Sequence, residues 1–243
     1  VARGFIEPGE KPRRFYREVA AAPAGAGFGV ALDRRELRAP KGTPLVLPTL
    51  ALAELVAEEW AAQGEHLELA AMHATRLANT AVESLPAARA ATADQVAQYA
   101  AADLICYFAE GPAGLVERQA ELWGPWLARA EAEAGLRFVR ASGIVHQPQP
   151  PETIAAVRAL ALGLDDFALA GLAFGTALFG SAVLALAVSR GWLAGPQAFD
   201  LSRLDEAWQE EKWGVDAEAA ERSARLRGEA AMLQRWFEAL RPG

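Results

Sequence analysis

The sequence predicts an α+β protein, with a small N-terminal antiparallel β-sheet and a covering helix packed on a mainly α-helical, orthogonal C-terminal bundle. Three observations carry this. Residues 14–47 contain short alternating apolar runs separated by Gly- and Pro-bearing turns, the pattern of half-buried strands. From residue 50 onward apolar positions recur every three or four residues almost to the end. Finally, Phe167 to Val188 is uncharged over 22 residues, yet Gly171, Gly175, Thr176, Gly180 and Ser181 dilute its apolarity. No aromatic belt brackets that stretch, so a buried core helix or helix pair is favoured over a membrane span.

In chain order, RFYREVA, FGVAL, ELR and TPLVL predict a meander of three or four strands, with APAGAG, LDRR and PKG as its turns. Phe28, Val30 and Leu32 alternate onto one face. Pro48 stops the last strand and Thr49 offers an N-cap to a helix whose Leu52, Leu55, Val56 and Trp60 share a face. Thr92 and Gln95 form a T-x-x-Q capping box before a helix bearing Val96, Tyr99, Leu104 and Tyr107, which Gly111 and Pro112 end. A further helix through LVERQAELW is expected to kink or restart at Gly124 and Pro125.

A short strand near residues 136–141 is expected to return to the N-terminal sheet, followed by the loop HQPQPP. After TIAAVRALAL, the uncharged core and a break at Gly195 and Pro196, a single helix FDLSRLDEAWQEEKW brings Leu201, Leu204 and Trp208 together. Gly214 stops it. Leu226, Ala230, Leu233, Phe237 and Leu240 line one seam of the last helix. The domains are therefore 1–85, α+β, and 86–243, helical.

A chain of 243 residues can bury a large core unaided, and 52% hydrophobic against 23% charged residues is a globular composition. Its net charge of -7 argues against general affinity for nucleic acid or anionic lipid, both of which need a positive footprint. A protein partner fits better. The single Cys106, inside LICYF, leaves no intramolecular disulfide and no metal knuckle, which suits a reducing compartment. The opening VARGFIEPGEKPRR has no apolar core of a secretory signal, so a cytosolic protein or mature matrix protein is expected.

Gly25, Gly27 and Gly29 precede a strand where a phosphate loop needs a helix, so they read as a hairpin turn. His66, His73 and His146 lack metal-ligand spacing, and Cys106 reads as a buried thiol. Adjacent carboxylates at Asp165 and Asp166, Asp205 and Glu206, and Glu210 and Glu211 do not face one another on a helix. The first pair suits a helix N-terminus. The others suit a solvated or partner-facing surface. No catalytic residue, cofactor or metal is expected. The alternatives are a small hydrolase or transferase using a carboxylate pair in an interdomain cleft, and a membrane-associated assembly factor.

Beyond these local readings, the ordered segments RFYREV, LDRRELRAPKGTPLVLPTLALAELVAEEWAAQ, MHATRLANTAVE, DLICYF, LVERQAELWGPWL, SGIVHQPQP, GSAVLALAVSRG and LDEAWQEEKWGVDAEA resemble the ATP-twelve family. That family comprises assembly chaperones for the F-one catalytic head of ATP synthase in mitochondria and α-proteobacteria. The blocks EWxxQ and DExWQxxxWGxDxEA are specific in combination. Local departures are Ala39 and Pro40 after the third strand, His73 after Met72, and Phe108 after Tyr107.

The resemblance implies a non-enzymatic, monomeric cytoplasmic protein that binds the free ATP synthase α subunit without nucleic acid or membrane insertion. It implies family-motif structural roles for Trp60, Gln63, Asp103, Trp123, Asp205, Trp208, Gln209 and Gly214. The partner-facing surface is expected at Glu206, Glu210, Glu211, Trp213 and Glu218.

Overall fold

A two-residue loop of Gly25 and Ala26 joins β1 (Val19–Ala24) to β2 (Gly27–Leu32) in the computed structural model, which describes residues 11–143 and 145–241. The first ten residues, on which most of the expectation about a targeting signal falls, lie outside the described residues. Gly25 takes φ 57°, as the first position of such a loop requires. β3 (Arg35–Glu36) completes an antiparallel sheet of order β1-β2-β3. At the second turn Asp33 sits at φ 56°, and its Oδ1 accepts from the N–H groups of Glu18 and Arg17, each at 2.9 Å. Those bonds, Glu18 first, hold its carboxyl below the usual range.

The strands differ in detail from expectation. β1 starts only at Val19, near the end of RFYREVA, while Arg14 N–H donates to Glu65 O at 2.8 Å. TPLVL makes only isolated bridges, Phe28 to Leu47 and Arg38 to Pro44. α1 (Leu50–Ala61) is capped by Thr49, whose Oγ1 accepts from Leu52 N at 3.1 Å. Leu52, Leu55, Val56 and Trp60 are buried as their spacing requires, and α1 packs on β1 and β2. After a 3-10 turn at Leu69–Ala71, α2 (His73–Glu83) follows.

The chain divides into two compact units, residues 1–83 with 239–243, and residues 84–238. In the second unit α3 (Leu85–Ala101) begins with Pro86 in its first turn, a position that needs no N–H donor. Thr92 therefore lies inside a helix, and the expected capping box does not form. α3 also ends ten residues before Gly111, and Leu104 and Tyr107 fall in a 3-10 turn and in β4 (Tyr107–Phe108). α4 (Ala113–Ala134) runs through Pro125 as one helix, since Gly124 has no Cβ to meet the proline ring.

The strand expected near 136–141 is corrected. Only β5 (Ala141–Ser142) forms, and it pairs in parallel with β4 rather than with the N-terminal sheet. The Gln149 amide takes both backbone groups of Val139, accepting from its N–H at 2.8 Å and donating to its carbonyl at 2.9 Å. Thr153 takes the Arg137 carbonyl at 2.7 Å. Side chains thus satisfy the hydrogen bonds a neighbouring strand would have supplied.

α5 (Pro151–Leu162) leads to the uncharged stretch, which is a helix pair, α6 (Asp166–Phe179) and α7 (Ala182–Ser189), turned at Gly180. No helix among the described residues is long and apolar enough to cross a membrane. FDLSRLDEAWQEEKW is not one helix but two, α8 (Gly195–Ser202) and α9 (Leu204–Trp213). They part at Arg203, where Trp123 Nε1 donates to the Leu201 carbonyl at 2.9 Å. α10 (Ala217–Leu240) buries Ala230, Leu233 and Phe237, and also Trp236, which the seam omitted. A Cβ at Gly171 would lie 2.9 Å from Trp236 and Phe237, so the missing side chain seats both rings.

Candidate functional site

The acidic helix α9 is held from below. Its one buried residue is Leu204, and its Asp205 accepts from Gln119 Nε2 of α4 at 2.6 Å. Gln119 is fully buried, and its Oε1 accepts from Ala109 N at 2.7 Å. The adjacent Arg118 pairs with Glu211 at 2.7 Å and lies 4.9 Å from the Trp208 ring. Lys212 lies 4.5 Å from the same ring. Trp208 also lies against Gly114, where a Cβ would come within 3.0 Å of the ring. The half-buried Trp208 is thus a packing residue between two cations.

On the outer side of α9, Arg203 contacts Glu210 at 3.2 Å and Glu206 at 3.8 Å. The first pair is half-buried, and the second, with Glu206 exposed, orients side chains more than it stabilises the fold. Beyond them Trp213 is 79% exposed and Val215 58% exposed. Glu206, Gln209, Glu211, Gly214 and Glu218 are exposed around them. Asp216 then starts α10, accepting from Ala219 N at 2.9 Å. The expected partner-facing residues therefore lie together on one stretch, Glu206 to Glu218, with an uncovered indole in the middle.

The motif residues of the first unit are structural in their contacts. Trp60 is 7% exposed and packs on Tyr16, whose hydroxyl donates to the Trp60 carbonyl at 2.7 Å. Gln63 closes the end of α1, donating to Glu59 O at 2.9 Å and accepting from Glu68 N at 2.7 Å. Glu59, which precedes Trp60 in EWxxQ, caps α2 from outside. Its carboxylate accepts from Ala74 N, Thr75 N and Thr75 Oγ1 at 2.7 to 2.8 Å.

Asp103 does the same for α7. Fully buried, it accepts from Val183 N at 3.0 Å, from Ile105 N at 3.3 Å, and from Ser181 and Ala182. Burial pushes its carboxyl up to about 6 despite those bonds. Trp123 is buried at 1% exposure. Burial, then the neighbouring Asp103, pushes the Cys106 thiol far up, which leaves it without thiolate character.

The carboxylate pairs separate into distinct partners. Asp165 caps α6 through Ala168 N at 2.9 Å, while Asp166 pairs with Arg89. Tyr107 shares a 2.9 Å hydrogen bond with His146, and His66 bridges Arg13. Among the described residues no cluster of His, Cys, Asp or Glu is arranged to hold a metal ion.

Two features escaped the sequence reading. Gln119 occupies the apolar stripe Leu115, Trp123, Leu127 of α4, and a glutamine in that register was the available signal. The other is a groove of about 570 Å³ in the first unit, lined by Leu37, Leu69, Met72 and the Trp60 ring, with Arg38 and Arg76 at its rim. Its lining is scattered over four segments, so no local pattern marks it.

Trp213 is thus exposed on a stretch that also exposes Glu206, Glu211 and Glu218. The family model of the ATP12 chaperone protein matches residues 13–131. Atp12 from Paracoccus denitrificans is 38% identical, with a TM-score of 0.87 over 95% of this chain and 99% of that one. An aspartate-to-lysine variant of P. denitrificans Atp12p gives the same identity and TM-score over 98% of its own length. The Atu1473 protein of Agrobacterium tumefaciens, also 38% identical, superposes with a TM-score of 0.89 over 95% of this chain and 87% of that one. This chain belongs to the ATP12 chaperone family.

Proposed function

We propose that this protein is an assembly chaperone for the catalytic head of F-type ATP synthase. It binds the free α subunit and shields the surface that later meets β. Family membership supports the chaperone role, and the observation that carries the client-holding reading is Trp213, 79% exposed beside Val215 and amid Glu206, Glu211 and Glu218. A large aromatic left in water at the centre of a charged rim is the usual anatomy of an interface anchor. An unassembled subunit exposes apolar surface prone to aggregation, and covering it takes an area on the order of 1,000 Å². The contact must also be weaker than the α–β interface that replaces it. On this reading the protein makes and breaks no covalent bond, works without a cofactor, and acts as a monomer in the bacterial cytoplasm.

Co-expression with the cognate ATP synthase α subunit, followed by size-exclusion chromatography, tests this. Co-elution with α, lost when β is supplied, is expected. Elution of the two proteins apart at micromolar concentration contradicts it.

A further inference from the structure

The groove of the first unit has a chemistry opposite to that of α9. Its wall is apolar, with Leu69 46% exposed and Met72 buried, and among the described residues no acidic one lines it. Arg38 and Arg76 stand at its rim, each bonded through one guanidinium nitrogen to a backbone carbonyl, Gly42 at 2.9 Å and Ala70 at 3.1 Å. Among the described residues neither forms an ion pair. Two unpaired cations beside an apolar trough, in a chain of net charge -7, call for a carboxylate next to an apolar side chain.

The groove also contains the two buried side-chain polar atoms left without a hydrogen-bond partner among the described residues, Trp60 Nε1 and Asn79 Oδ1. One is a donor only and the other an acceptor. Trp60 is 7% exposed, and its neighbours leave the indole N–H unanswered. A peptide bond presents the matching acceptor and donor. Both atoms are shielded from solvent, so reaching them requires the groove lining to shift.

We infer that this groove binds an extended segment of a client polypeptide, with an apolar side chain in the trough, an adjacent carboxylate on Arg38 and Arg76, and a main-chain amide on Trp60 and Asn79. The inference rests on the chaperone reading for the identity of the client, but it concerns a second contact, separate from α9.

The test uses the full chain with ¹⁵N-labelled tryptophan and two blocked pentapeptides, Gly-Leu-Glu-Leu-Gly and Gly-Leu-Lys-Leu-Gly. The Glu peptide is expected to shift the Trp60 indole resonance, identified by its loss in Trp60→Phe, and to bind about tenfold more tightly than the Lys peptide. Arg38→Glu with Arg76→Glu, both exposed, should reverse that preference. Asn79→Leu removes an orphaned acceptor, so it should leave folding intact and weaken the Glu peptide.

An unmoved Trp60 resonance, or equal shifts by both peptides, overturns the inference. Co-elution with the α subunit separates the two claims. Capture without peptide binding sinks the groove and leaves the chaperone reading standing. Peptide binding without capture does the reverse.

Discussion

Gln119 and Asp205 meet at 2.6 Å, the amide of a wholly buried side chain donating to the first acid of α9. Because the other end of that amide accepts from Ala109 N, one residue ties α9 to α4 and to the start of the loop after β4. Gln119→Leu keeps the volume but strands an acceptor and a donor. It should cost about 1–3 kcal/mol for each orphaned group in urea unfolding, and it should loosen α9. A change below about 0.5 kcal/mol would show that water replaces the amide without loss.

Asp103 makes the fold sensitive to pH. Its folded value of about 6 lies above its ordinary 3.8, because burial outweighs the hydrogen bonds it accepts. Between those values the folded state holds a proton that the unfolded chain has released. This contribution to stability is therefore complete below about pH 4 and is lost as pH rises through about 6, on the order of 3 kcal/mol in total. Asp103→Asn should flatten this part of the stability profile measured from pH 4 to 7. Asp103→Ala, which orphans the Val183 N–H, should be the less stable of the two variants at pH 7.

Two glycines make opposite expectations. At Gly195 a Cβ would fall 1.9 Å from the Ala230 carbonyl oxygen, so Gly195→Ala must displace α8 from α10 and should cost about 3 kcal/mol or more. At Gly228 in mid-α10 nothing lies within 4 Å, and Gly228→Ala should stabilise by roughly 0.5–1 kcal/mol. Thermal melting of the pair distinguishes close packing from helix propensity.

What was legible in the sequence was what neighbouring residues decide. The alternation through Val30 and Leu32 and the spacing of Leu52, Leu55, Val56 and Trp60 each report burial of one face, and those residues are buried. The features that escaped depend on groups distant in the chain. Gln149 satisfies Val139 and so prevents a strand, Trp123 takes the Leu201 carbonyl where one helix was expected, and Glu59 caps α2 from the end of α1. The acidic stretch from Glu206 to Glu218 was visible as a motif. The division of labour within it was not, because Trp208 and Trp213 are both tryptophans and only Arg118, Lys212 and Gly114 make one of them a packing residue.

That division gives a further expectation. Trp208→Ala removes a ring held between two cations and should lower stability, whereas Trp213→Ala, at a residue 79% exposed, should stay within about 0.5 kcal/mol of the parent. Equal losses in chemical unfolding would mean that both rings support the fold.

The most direct measurement is the aggregation of purified ATP synthase α subunit followed by light scattering, alone, with this protein, and with a Trp213→Ala variant. The parent protein should hold scattering down at equimolar ratio until β is added, and the variant, folded to the same melting temperature, should protect poorly. Scattering that rises equally in all three samples would contradict the account.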